Sequence, residues 1–144
     1  MQVEYAALGW KIIPTCPDKK KPPCLWRNVE VNMADWPGYN TAIVCDQNGL
    51  VVIDVDPDGK TTWAALTSLH GEPETLTSIT KRGKHVYFKA KPGQKYRAKI
   101  GKYAGIDIKH AGYVIEAPSP GYEWVNWGTP IAEVPEWLSP LIEK

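Results

Sequence analysis

The sharpest pattern along the chain is Leu50-Val51-Val52-Ile53-Asp54-Val55-Asp56, an unbroken apolar run that turns polar only at its end. Short apolar runs rich in β-branched residues and bounded by turn formers predict buried strands. Thr41 to Asp46 has the same character, and Gln47-Asn48-Gly49 between the two runs predicts a hairpin with a short turn. Further strands are predicted over Leu76 to Thr80, Lys84 to Ala90, Gly105 to Lys109 and Tyr113 to Ala117. In Lys84-His85-Val86-Tyr87-Phe88 the alternation sends His85 and Tyr87 to one face, Val86 and Phe88 to the other. Trp63, Leu66 and Leu69 recur at near-helical spacing, so a helix is expected over Thr61 to Leu69, capped by Thr61 or Thr62 and ended by His70-Gly71. Short helices are expected near Val3 to Leu8 and after Pro135, while Pro14, Pro17, Pro22, Pro23 and Pro37 break the first third into irregular pieces. The elements sum to an α+β fold: a mixed, largely antiparallel central sheet flanked by short helices. One domain over residues 1–144 is expected, with 1–40 as its irregular part and 41–144 as the sheet.

Composition supports a packed core, with 43% hydrophobic and 23% charged residues in 144. No apolar run is long enough to span a bilayer and the start does not read as a secretory leader, so a cytoplasmic protein without membrane contact is expected. The formal net charge of +1 hides a strong asymmetry. From Lys81 to Lys109 ten basic residues face one acid, Asp107, a segment charge of +9 against −8 for the rest. A focused basic surface favours polyanionic partners such as nucleic acid or nucleotide phosphates; a solvated lysine-rich hairpin is the plainer alternative.

Asp54 and Asp56 lie two positions apart on one strand face, roughly 6.5–7 Å along the strand. A pair of that kind suits divalent cations, although both acids could simply open the turn Pro57-Asp58-Gly59. Asp107, flanked by Ile106 and Ile108, takes the opposite face from them and shares its face with Lys109. Three carboxylates reaching one place would hold two magnesium or manganese ions; an acid such as Asp107, taken alone, is more often a salt-bridge partner for nearby lysines. His85, next to Gly83 and several cations, is placed to hydrogen-bond a phosphate, or else is a packed histidine satisfied by backbone. His70 and His110 read as surface residues. Tyr87, Tyr96 and Tyr103, interleaved with cations, are candidates for stacking on unpaired bases, with core packing the plainer reading of any single one. Cys16 and Cys24 are separated by seven residues with no second Cys or His pair, so no zinc site is expected, and Cys45 reads as core.

In order, these pieces resemble the N-terminal domain of bifunctional DNA primase/polymerases, the Prim-Pol branch of the archaeo-eukaryotic primase superfamily. The resemblance starts at Tyr5-Ala6-Ala7-Leu8-Gly9-Trp10 and runs through Lys21-Pro22, Trp26 and Tyr39-Asn40-Thr41. VVIDVDPDG matches the first motif of that family, Thr80 to Phe88 the second, and GIDIKHAGYVIEAPS the third, followed by Tyr122-Glu123-Trp124. The stretch before His85 is shorter and more basic than is usual there, and no zinc stem or helicase region is visible.

The resemblance implies a primase catalytic core with an RRM-like palm. It implies template-directed nucleotidyl transfer, as DNA primase, DNA polymerase or both, with release of pyrophosphate. Asp54, Asp56 and Asp107 would be the catalytic acids and would hold two divalent ions, Mg2+ or Mn2+. His85 and Lys109, with Arg82 and Lys84 as helpers, would bind the dNTP or NTP. Lys89, Lys95, Tyr96, Arg97, Lys99 and Lys102 would hold a single-stranded DNA template. A helicase or helical primase region in cis or trans would be a partner, and the genetic setting would be a mobile element. A non-catalytic single-strand binding module of a replication initiator and a metal-dependent nuclease are the alternative readings.

Overall fold

A computed structural model describes residues 1–101 and 103–144. Its architecture is α+β, built on two mainly antiparallel sheets with a few short helices. The central strand is β3 (Leu50–Val55), flanked in the sheet by β5 (Lys84–Lys89) and β6 (Ile106–Lys109), and its apolar side chains are buried on both faces. β4 (Thr77–Ile79) pairs with β5, β8 (Glu123–Trp124) extends β4, and β9 (Ala132–Glu133) joins β5 in parallel, completing a six-stranded sheet. The second sheet has three strands in the order β1 (Ile12–Thr15), β2 (Asn40–Val44), β7 (Tyr113–Glu116).

Two connections differ from the sequence expectation. β2 and β3 form no hairpin: β2 sits in the small sheet, its two edges already taken by β1 and β7, and a 3-10 turn over Asp46–Asn48 carries the chain across to the large sheet. The basic segment is no hairpin either. β5 and β6 run in the same direction on opposite sides of β3, so the chain must cross back along the sheet before β6 can start. On the way it lies along the outer edge of β6, where the Ile108 amide donates to the Ala98 carbonyl at 2.8 Å and Lys99 bridges Asp107. A row of open edge groups is thereby covered.

The two faces of the large sheet have different partners. Val51, Ile53, Val55, Val86, Phe88 and Ile106 pack against Trp63 of α2 (Lys60–His70) and against Leu138 and Ile142 at α3 (Ser139–Ile142). On the other face Leu50, Val52 and Tyr87 meet Ile43 and Val114 of the small sheet and Tyr5 of α1 (Gln2–Ala7). α2 follows its predicted span but has no side-chain cap, since Gly59 occupies the capping position. β1 escaped the sequence reading because Pro14 interrupts a short apolar run; as an edge strand bonded to β2 alone it tolerates a residue without an N–H.

A close backbone crossing aligns the two acidic strand ends. The Asp56 amide donates to the Gly105 carbonyl at 2.8 Å. Gly105 has φ +80, and a Cβ there would come within 2.2 Å of the Gly59 nitrogen. Gly105→Ala therefore forces the loops after β3 and before β6 apart and is expected to cost roughly 2–3 kcal/mol. Urea unfolding midpoints measure this; an unchanged midpoint would show that the loops part without penalty.

Candidate active site

Register brings the candidate residues together. Asp54 stands between His85 of β5 and Asp107 of β6 in one row across three strands, and Val52 stands between Tyr87 and Lys109 in the next. Residues directly opposite one another point to the same face. Asp54, His85, Asp107 and Lys109 thus share the face turned toward the small sheet. Where the small sheet leaves that face uncovered, a cleft of about 330 Å³ opens, lined by Lys20, Asp54, His85, Lys109, Tyr113 and Tyr122 among others.

His85 is the pivot of this row. It is buried, with Nε2 at 3.4 Å from Asp54 Oδ1 and Nδ1 at 2.9 Å from Glu116 Oε2. Burial opposes the charged imidazolium, but hydrogen bonds and charge from Asp54 and Glu116 outweigh it and raise His85 to about 9. Burial also opposes the charge of Asp54, yet its bond to His85 and the positive charges of His85, Lys109 and Lys20 lower its pKa. Asp56 shifts upward, through partial burial and then through repulsion from Asp54 and Asp107, with Arg82 and Lys109 opposing. Asp56 therefore feels both of the other carboxylates.

The raised His85 pKa sets the sign of a stability change with pH. A base that binds its proton more tightly when folded contributes stability that is complete below its unfolded value of 6.5 and is lost as pH rises through about 9. The urea midpoint is expected to fall between about pH 7 and 9.5, and His85→Gln to flatten that fall. An equally steep fall in the variant would place its origin elsewhere.

The remaining expected site residues divide. Arg82 is exposed and acts electrostatically on Asp56. Lys84 is a correction: its register partner is Val55, so it points to the opposite face, toward α2, where its ammonium lies 3.6 Å from Glu72. Strand parity separates it from His85 by one residue and one whole face. Lys99 Nζ lies 3.3 Å from Asp107 Oδ1. Lys89 is exposed and pairs with Leu50, at the opposite end of β3 from Asp54. The backbone of Lys95 and Arg97 is tied to Lys144 and Ile142. Tyr96 is half-buried, its hydroxyl accepting from the Lys91 amide and its ring edge-on to His110. Lys102 lies outside the described residues. Tyr87 is wholly buried and cannot stack on a base, while Tyr103 is 46% exposed. His110 is half-buried rather than superficial, with Nδ1 3.0 Å from the Leu50 carbonyl. Burial pushes the Cys45 thiol up, as befits a core cysteine.

Two site residues escaped the sequence reading. Glu116 is fully buried, and its Oε2 receives Ser78 Oγ at 2.8 Å, the Tyr87 hydroxyl and His85 Nδ1. Its signal was present, an acid ending the apolar strand Tyr113-Val114-Ile115, the same pattern that marked Asp54. Lys20 reaches the cleft because the Tyr113 hydroxyl donates to its carbonyl at 2.9 Å; nothing in the lysine run Lys19-Lys20-Lys21 distinguishes it.

The carboxylates form an all-oxygen donor set suited to magnesium or manganese. Among the described residues no three His, Cys, Asp or Glu side chains converge into a ready-made cage. Magnesium sites in nucleotide enzymes need none, since one or two carboxylates are completed by waters and substrate phosphates. Burial, and after it repulsion from Asp54 and Asp107, raises Asp56; a cation would relieve the repulsion, so the donors fit an open site.

Among the described residues no helix is long and apolar enough to cross a membrane. A family model described as bifunctional DNA primase/polymerase, N-terminal, matches residues 2–137. No curated protein matches the chain significantly.

Proposed function

The chain belongs to the family of bifunctional DNA primase/polymerase N-terminal domains, and from that membership we propose that it catalyses template-directed nucleotidyl transfer, extending a strand on single-stranded DNA with release of pyrophosphate. The observation that carries the reading is the row Asp107, Asp54, His85 on one sheet face, beside Lys109, with Asp54, His85 and Lys109 lining a cleft.

Asp54, Asp56 and Asp107 would hold two divalent ions, Mg2+ or Mn2+. Bound there, the ions would supply activation of a 3′-hydroxyl and neutralisation of the leaving pyrophosphate. His85 lines the cleft with a carboxyl group on either side of its ring, and its Nε2–H would donate to a triphosphate oxygen. Lys109 and Lys20, both lining the cleft, would balance the remaining phosphate charge, with Arg82 near Asp56 as a further cation. Positioning and charge stabilisation would supply most of the rate, as is general for phosphoryl transfer. The cations of the crossover would track the template backbone. A helicase or helical primase region, in cis or in trans, would deliver the single strand.

A metal-independent single-strand binding module is the second reading, favoured by the internal pairing of Asp54 with His85 and of Asp107 with Lys99. Extension of a labelled primer on a single-stranded template, with magnesium or manganese and each nucleotide pool, separates the two. Nucleotide-dependent lengthening is expected. Strand binding without lengthening would favour the binding module, and shortening without nucleotides would indicate a nuclease.

A further inference from the structure

Glu116 brings a carboxyl group into the interior, where a polar group is tolerated only when it is hydrogen-bonded. Its Oε2 accepts three donors, Ser78 Oγ from β4 and both the Tyr87 hydroxyl and His85 Nδ1 from β5, whereas Oε1 is buried without a partner among the described residues. All the grip is on one oxygen. A carboxylate so held by neighbouring strands cannot rotate away, and it accepts from Nδ1 in one direction only.

We infer that Glu116 is a positioning residue for His85: by accepting a hydrogen bond from Nδ1–H behind the ring, it fixes the ring plane so that Nε2 faces Asp54 and the cleft. A hydrogen bond made at one imidazole nitrogen holds the ring and so aims the other nitrogen. Ser78 and Tyr87 act one step further back. Each points the carboxylate, the carboxylate points the ring, and the ring meets the nucleotide. The backbone supports the same point. Immediately after Glu116, the Ala117 carbonyl accepts the Tyr5 hydroxyl at 2.5 Å, and Ser119 Oγ accepts the Thr41 amide at 2.8 Å, latching the end of β7 to α1 and β2. The inference rests on the proposed role of the cleft in binding a triphosphate.

The test compares the full chain with Glu116→Gln, an isosteric change that keeps an acceptor for Ser78 and Tyr87 but cannot hold a charged ring as tightly. Primer extension with dATP and magnesium is expected to show kcat/KM for dATP falling about 10–100-fold, mostly through KM. In a His85→Ala background the same substitution should change little further, because the ring it positions is gone. A structural role alone would produce equal losses in both backgrounds, and that result, or an unchanged KM, overturns the inference. Imidazole 1H–15N spectra supply a readout independent of activity: the His85 Nδ1 proton signal should be present in the parent chain and lost or shifted in Glu116→Gln. Tyr87→Phe, which keeps the carboxylate, should shift it less. Should the parent chain fail to incorporate dATP, the polymerase reading falls, while the spectra still decide whether Glu116 orients His85; an unmoved signal refutes that.

Discussion

Replacing Asp54 by alanine is expected to lower nucleotide incorporation about 10³-fold or more, the equivalent of several kcal/mol of lost transition-state stabilisation. Asp54 occupies the middle of the three-strand row, so no neighbouring carboxylate can take its place. Asp107 lies on the far strand beside Lys99, and Asp56 lies two residues on, at the start of the turn. The same change leaves His85 with Glu116 alone. Some stability should go with it, in the direction the lowered Asp54 pKa demands: its contribution is present above 3.8 and lost as pH falls through and below that value. Circular dichroism and a melting curve at neutral pH separate a folded, inactive variant from an unfolded one. Incorporation within a few-fold of the parent, in a folded Asp54→Ala chain, would remove Asp54 from the proposed ligands and the two-ion reading with it.

The second large effect concerns salt. If the crossover cations hold about four template phosphates, log affinity should fall against log salt with a slope near −3, roughly 50-fold between 50 and 200 mM. Neutralising Lys89, Lys95, Arg97 and Lys99 together with glutamine should bring the slope close to zero and weaken binding at low salt. The four are exposed; Lys89 ends β5, and the crossover that carries the other three stays fastened by backbone bonds to β6 and to the residues around α3. Fluorescence anisotropy of a labelled oligothymidylate measures the slope directly. A slope unchanged in the quadruple variant would move the template to another basic surface, of which the Lys19-Lys20-Lys21 turn at the cleft is the nearest.

The acids and His85 were legible because a strand alternates with a period of two. An acid at every second position beside buried isoleucines, as at Asp107, fixes its own face without knowledge of any partner. The same rule would have removed Lys84 from the site, since it differs from His85 by one position and therefore by one face. Lys20 was beyond reach, because its place depends on a tyrosine hydroxyl from a strand more than ninety residues away.

By itself the sequence determined most of the strands, though not β1, β8 or β9, which side of each is apolar, and where the first acids, His85 and the basic excess lie; the resemblance to the family came from the order of the motifs. These depend on local periodicity and residue type. Only the tertiary structure decided which strands are neighbours. β2 and β3 are adjacent in the chain yet belong to different sheets, β5 and β6 enclose β3 rather than each other, and Glu116 comes from the small sheet to stand behind His85. Pairing is chosen by how two-sided apolar strands can all be covered at once, and that is a property of the whole packed chain rather than of any one segment of it.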